Sequence, residues 1–206
     1  MTALGFDPAD AGPVIGMIGR LDPQKGFDLL ADASPTLLAQ GVRLVVQGSG
    51  PAALADPFRD IARAHPRQVG FIERFDRVMA RKIYAGADFF AMPSRFEPCG
   101  QGQMIALRYG TPPIVHRVGG LADTVIDETA HPGEGTGFSF SGATVEGLLV
   151  ACDAAMDLRA GGGPAWEGLL DRGMAVDFDW VSGAAPRYLD AYRRAIDIRG
   201  RGGRAT

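Results

Sequence analysis

The sequence predicts an α/β domain built on a doubly wound parallel sheet. Short apolar runs of strand length alternate with stretches of helical period from residue 14 to about residue 140. Glycine and proline clusters mark the junctions between those runs, where a chain must reverse. Hydrophobic residues make up 46% of 206 residues, enough to bury a core under both faces of a sheet. Alternating strands and helices call for a parallel sheet covered on both sides.

Each element follows from local signals. Met1–Gly12 is a lead-in. Val14-Ile15-Gly16-Met17-Ile18 is a buried strand, and Gly19–Gly26 is the loop after it. Phe27, Leu29, Leu30, Ala33, Leu37 and Leu38 give a helical period with Pro35 as a possible kink, and Gly41 ends it. Val42–Gln47 is the second strand, Gly48-Ser49-Gly50-Pro51 opens a helix to about His65, and Val69–Phe71 is the third strand. Asp76 caps a helix to Tyr84. The strand Ala87–Met92 leads through a turn into a helix over Gln103–Tyr109. Pro113–Val115 and Gly137–Phe140 are further strands, separated by a short helix at Leu121–Ile126 and a loop at Glu128–Thr136. Helices follow at Thr144–Leu158, Trp166–Met174 and Trp180–Ile196, the first broken by Gly161-Gly162-Gly163. The expected whole is one Rossmann-like domain with its core at residues 13–140. Its C-terminal helices span 144–198 and a Gly/Arg-rich flexible tail spans 199–206. No period of repeat-protein length is visible.

Composition narrows the function classes. A net charge of −3 and a pI near 5.6 argue against general binding to nucleic acid or an anionic membrane. An anion site must then be local. No apolar run approaches a membrane span and no leader pattern opens the chain, so a cytoplasmic chain is expected. Cys99 and Cys152 make neither a disulfide framework nor a metal cluster. His65, His116 and His131 lack any ligand spacing, so no metal and no cofactor are expected.

The candidate site centres on Pro93–Gly102, where the fourth strand turns into a helix. Ligands of parallel sheets bind outside such strand ends, and the free N–H groups there suit a phosphate. Glu97 lies just ahead of that turn, where a carboxylate suits neutral hydroxyls better than phosphate. Phosphate and polyol side by side point to a nucleotide sugar or a sugar phosphate. Arg20 and Lys25 flank the turn after the first strand, on the same rim if the sheet is doubly wound. Lys occurs only at 25 and 82, so a loop lysine carries some information. Two cations there suit a diphosphate, the alternative being surface charges beside a turn. Gly48-Ser49-Gly50 fits an ordinary turn, and Gly119-Gly120 fits a helix start with Asp123 in its first turn. Neither a G-x-G-x-x-G run in the first βα turn nor a Walker lysine pattern is present. Ser94 and Cys99 lack a sequence-near His to activate them.

Gly19–Gly26, Tyr84–Asp88, Pro93–Gly100, Arg108–Thr111 and Gly119–Val125 together resemble bacterial glycogen synthases and plant starch synthases, in the right order along the chain. Asp177-Phe178-Asp179-Trp180 is similar to the start of their closing helix. It also resembles the Asp-x-Asp of metal-dependent glycosyltransferases, but stands where a helix cap is expected. The resemblance implies the C-terminal, donor-binding half of a GT-B retaining glycosyltransferase. Such an enzyme moves glucose from ADP-glucose to the non-reducing end of an α-1,4-glucan without a metal. By position, it implies that Arg20 and Lys25 hold the diphosphate and stabilise the leaving nucleotide. Glu97 accepts from glucose hydroxyls, with the N–H groups around Cys99, Gly100, Gln101 and Gly102 completing the pocket. Phe75 faces the adenine, and Gly119 and Gly120 approach the donor closely.

The chain departs from the family at Gln101, where Leu is frequent, and at Gly102 and Val118, where Thr is frequent. His116 stands where Arg is frequent. The family's N-terminal domain, which carries acceptor binding, is not in this sequence, so donor binding with little turnover is expected of the chain by itself. Two other readings fit the same residues: a non-catalytic nucleotide-sugar or partner-docking module, and a retaining transferase using another nucleotide sugar.

Overall fold

A computed structural model describes Phe6 and residues 12–202. The rest of the expected lead-in and the end of the expected tail lie outside the described residues.

Six parallel strands form one sheet: β1 (Val14–Arg20), β2 (Arg43–Ser49), β3 (Val69–Ile72), β4 (Phe89–Met92), β5 (Pro113–His116) and β6 (Phe138–Phe140), in the order β3-β2-β1-β4-β5-β6. Helices α1 (Phe27–Ala39), α2 (Ala52–Ala64), α3 (Arg77–Gly86), α4 (Gly102–Arg108), α5 (Gly119–Thr124), α6 (Val145–Gly161), α7 (Gly163–Ala175) and α8 (Ala185–Gly202) follow or flank them. This is the expected doubly wound, Rossmann-like α/β fold. One face is closed by Phe27, Leu30, Leu37, Phe58, Leu148 and Leu169 from α1, α2, α6 and α7. The other carries smaller clusters around Ile83 and Tyr84 of α3, Ala106 of α4 and Leu121 of α5. Strands buried on both faces explain why their sequences read as unbroken apolar runs.

Local chemistry sets the element ends. Asp76 Oδ1 accepts from the N–H groups of Val78 and Met79, so that cap forms as expected, and Thr144, read as the first helical residue, instead caps α6 by accepting through Oγ1 from the Gly147 N–H. Pro35 lies inside α1 and cannot donate to the Ala31 carbonyl. The Ser34 hydroxyl donates to that carbonyl instead at 2.7 Å, which keeps the acceptor satisfied.

Two expectations shift. Gly19-Arg20 and Gly48-Ser49, read as loop and helix opening, extend β1 and β2, pairing Gly19 with Gly48 and Arg20 with Ser49. A Cβ on Gly48 would stand 2.5 Å from the Gly19 carbonyl oxygen, so a glycine that looked like a turn residue serves close strand pairing. In addition, α5 begins at Gly119, not Leu121, which moves Asp123 out of the first turn.

The residues up to Met174 form one compact unit and those from Ala175 a second. Residues 176–179, near the start of the second unit, are non-helical. The second unit holds a π-helical turn, Trp180–Ala184, and α8. Helix therefore covers residues 199–202, expected as tail. Asp179 caps the turn by accepting from the N–H groups of Val181 and Ser182, as the capping reading required.

Candidate functional site

Strand order reverses between β1 and β4, so the chain leaves those neighbours on opposite sides and opens a crevice at their C-terminal ends. The two loops singled out in the sequence both arrive there. After β1, Asp22 Oδ1 accepts from the Gln24 N–H at 2.9 Å and starts a 3₁₀ turn over Pro23–Lys25. Gly26 then takes φ of 70°, and a Cβ there would stand 2.2 Å from the Pro93 carbonyl oxygen, so the loop requires glycine twice over.

That approach brings the β1 and β4 loops together, and polar bonds fasten them. The Arg95 N–H donates to the Gln24 carbonyl at 2.8 Å, and Gln24 Nε2 donates to the Phe96 carbonyl at 2.9 Å. The Arg95 guanidinium donates to the Pro23 carbonyl at 2.8 Å and forks onto both Asp28 carboxylate oxygens at 2.8 and 2.6 Å. Hydrogen bonds from Arg95 hold the Asp28 carboxyl below its ordinary value.

Between the loops, Lys25 Nζ lies 2.6 Å from Glu97 Oε2, with side chains 24% and 8% exposed. The Ser94 hydroxyl donates to the same oxygen at 3.1 Å. Glu97 Oε1 takes no hydrogen bond among the described residues and stays open to a hydroxyl donor. Lys25, Ser94, Glu97, Gly100, Gln101 and Gly102 line one cavity of about 220 Å³. Tyr84 forms part of its wall, and burial pushes its hydroxyl up to about 12, so it remains protonated at neutral pH.

The β4 turn is braced from behind. Gly120 N–H donates to the Glu97 carbonyl at 3.0 Å, and Cβ atoms on Gly119 and Gly120 would stand 2.3 Å from the Glu97 carbonyl oxygen and 2.1 Å from that of Cys99. His116, at the end of β5, contacts the Ser94 carbonyl through Nδ1 at 2.8 Å, which assigns the proton to Nδ1. Buried Gln103 donates through Nε2 to the Cys99 carbonyl at 3.0 Å.

A neighbouring cavity of about 350 Å³ is lined by Ile18, Gly19, Arg20, Gln47, Gly48, Ser49, Arg74 and Phe75, sharing Ile18 and Gly19 with the first. Phe75 is 78% exposed. The expected residues are thus divided: Lys25, Glu97, Gly100, Gln101 and Gly102 surround one cavity, and Arg20 and Phe75 the other. Cys99, Gly119 and Gly120 line neither. For the two glycines, contact with the Glu97–Cys99 backbone already requires the missing side chain.

A family model described as glycosyl transferases group 1 matches residues 12–157. The chain belongs to the group 1 glycosyl transferases. Within them it is 44% identical over 198 residues to a glycogen synthase of Halorhodospira halophila, covering 96% of this chain and 41% of that one. It is 51% identical over 181 residues to a glycogen synthase of Anaeromyxobacter dehalogenans, covering 88% of this chain and 37% of that one. The catalytic domain of starch synthase IV from Arabidopsis thaliana, solved with ADP and acarbose, superimposes with a TM-score of 0.85 at 34% identity. That match covers 95% of this chain and 41% of the other. The chain therefore spans about two fifths of the relatives it matches and corresponds to one part of a glycogen or starch synthase-type glycosyl transferase.

Sequence reading of this glycosyl transferase missed the bracing groups. Ser94 was considered only as a nucleophile, and His116 only as a metal ligand without partners and as a departure from the family. Their spacing from Glu97 carries no local signal, because β5 brings His116 to Ser94 across 22 residues. Gln47 was missed too, although a lone amide after Leu44-Val45-Val46 breaks the apolar run. Among the described residues no group of three or more His, Cys, Asp or Glu is placed to hold a metal ion, and no helix is long and apolar enough to cross a membrane.

Proposed function

We propose that this chain is the donor-binding half of a glucosyltransferase of glycogen or starch synthase type. It binds ADP-glucose for transfer of glucose, with retention, to the non-reducing end of an α-1,4-glucan. The observation that carries the reading is the Lys25–Glu97 pair: a cation and a buried carboxylate 2.6 Å apart in one cavity at the strand-order reversal. A bound diphosphate draws Lys25 and Arg20 to its oxygens, where they stabilise the charge that develops on the leaving nucleotide. Glu97 Oε1 then accepts from sugar hydroxyls while Ser94 keeps Oε2 in place. N–H groups at Cys99, Gly100, Gln101 and Gly102 complete the sugar side, and the Phe75 ring receives the base.

A retaining transfer through an oxocarbenium-like state needs charge stabilisation around the departing group more than a side-chain nucleophile. This assignment uses no metal or cofactor. The acceptor glucan is held by the N-terminal domain of a two-domain enzyme, acting in the cytoplasm.

Calorimetry with ADP and ADP-glucose tests the reading, and lack of affinity for both would overturn it. Mixing the chain with a cognate N-terminal half tests turnover. Glucan elongation is expected, whereas ADP binding without elongation would reduce the chain to a binding module. Competition among ADP-, UDP- and GDP-glucose tests the choice of donor.

A further inference from the structure

We propose that Gln47 selects the base of the donor, its side-chain oxygen accepting a hydrogen bond from an amino group on the base edge. The inference rests on the donor-site reading above and adds a specificity residue to it.

Gln47 lies in the ladder of β2, paired with Ile18 of β1 and Ile72 of β3, and is 1% exposed. Leu44, Val45 and Val46 precede it as buried apolar residues, so the amide interrupts an apolar run. Nε2 donates to the Asp76 carbonyl at 2.9 Å, which fixes which end of the amide is nitrogen and which is oxygen. Oε1 is closed to bulk solvent and meets no donor among the described residues. Gln103 Oε1 shares that condition, but Gln103 lines neither site cavity, whereas Gln47 lines the one that holds Arg20 and Phe75. A buried acceptor without a partner is uncommon in a native chain, and a pairing group on a bound molecule accounts for it.

The surroundings indicate which molecule. Phe75 immediately precedes Asp76, the residue that anchors the Gln47 amide, and its exposed ring offers a face for a flat heterocycle. Arg74 in the same wall is engaged by Asp76 Oδ2 at 3.2 Å and is not directed to Gln47. A base resting on Phe75 turns that exposed ring and brings its edge to Gln47. An acceptor with its nitrogen committed elsewhere welcomes an amino group, as on adenine, and repels a keto oxygen at the same place.

The test compares ADP with purine riboside 5′-diphosphate, in which hydrogen replaces the amino group, by calorimetry on the 206-residue chain. The wild-type chain is expected to bind ADP about tenfold more tightly, the scale of one buried hydrogen bond. Gln47→Met and Gln47→Leu are expected to bring the two ligands within about twofold, chiefly by weakening ADP. Equal affinities in the wild-type chain would mean that Oε1 is served by a buried water and would overturn the proposal without any variant needing to fold. A tenfold preference retained in both variants would overturn it as well. Failure of both diphosphates to bind would overturn the donor-site reading itself, a result distinct from equal binding.

Discussion

The two cavities of the crevice are held in different ways. The one around Lys25 and Glu97 is built before any ligand arrives: two loops joined by Gly26 against Pro93, the Arg95 fork on Asp28, and a charge pair largely withdrawn from solvent. The one around Arg20 and Phe75 has a firm floor in β1 and β2, with Gln47 buried in it, but Arg20 and Phe75 themselves are exposed. Geometry fixed in advance suits the reacting end of a donor, where small displacements are costly to a transition state. Exposed side chains that settle on binding suit the end that is only gripped. Substitutions on the first side should therefore disturb fold and binding together, and those of the exposed side chains on the second should disturb binding alone.

The sharpest way to break this contrast is Gly120→Ala. A Cβ 2.1 Å from the Cys99 carbonyl oxygen meets backbone, which cannot swing aside, so the β4 turn must shift. The expected cost is about 3 kcal/mol in urea unfolding, at the upper end for overpacking, with ADP binding lost as well. An unchanged unfolding midpoint would show that the turn is looser than its contacts imply. Next comes Lys25→Ala, which leaves Glu97 buried with only the Ser94 hydroxyl as partner. A loss of about 2 kcal/mol in stability is expected, below the range for a wholly buried pair because Lys25 is partly exposed. ADP binding should weaken by more than about 1 kcal/mol in calorimetry, the scale of a charge-assisted contact. Lys25→Met with Glu97→Gln should recover most of the stability and none of the binding. Recovery of both would deny Lys25 its phosphate role.

How far the sequence revealed these two sides follows from the range of the interactions. The caps at Asp76 and Asp179 act over two or three residues and were legible. The convergence of Arg20, Lys25 and Glu97 on one rim was legible through topology, since alternating elements dictate a parallel sheet with its site at the strand ends. Gly19 and Gly48 misled because a glycine needed for close strand pairing looks like a glycine needed for a turn. Ser94, His116 and Gln47 could not be assigned, because each finds its partner only after the sheet has formed. The periodicity of α8 predicts a helix but says nothing about what that helix packs on.

Phe75→Ala sharpens the contrast from the other side. The ring is 78% exposed, so its removal should leave the unfolding midpoint within about 0.5 kcal/mol of the wild-type chain. Loss of a stacking face should weaken ADP by about 1 kcal/mol, roughly fivefold, with little change for inorganic pyrophosphate, which has no base to stack. Equal losses for both ligands would mean that the ring supports the phosphate side instead.

The smallest expected effect is the pH dependence of the Arg95–Asp28 staple, and its sign follows from the carboxyl. Asp28 is held below its ordinary value in the folded chain, chiefly by hydrogen bonds from Arg95. Its stabilisation is therefore complete above the unfolded value of about 4 and disappears as pH falls through the lower folded value. Because both side chains are partly exposed, solvent screening limits the contribution to the order of 0.5 kcal/mol. Urea unfolding of the wild-type chain and Asp28→Asn should differ by a constant small amount from pH 7 down to about 4, and converge below that. A difference that grew on acidification would place the carboxyl above its ordinary value and reverse the reading. A constant difference at every pH would assign the staple to the contact of Arg95 with the Pro23 carbonyl, which does not titrate.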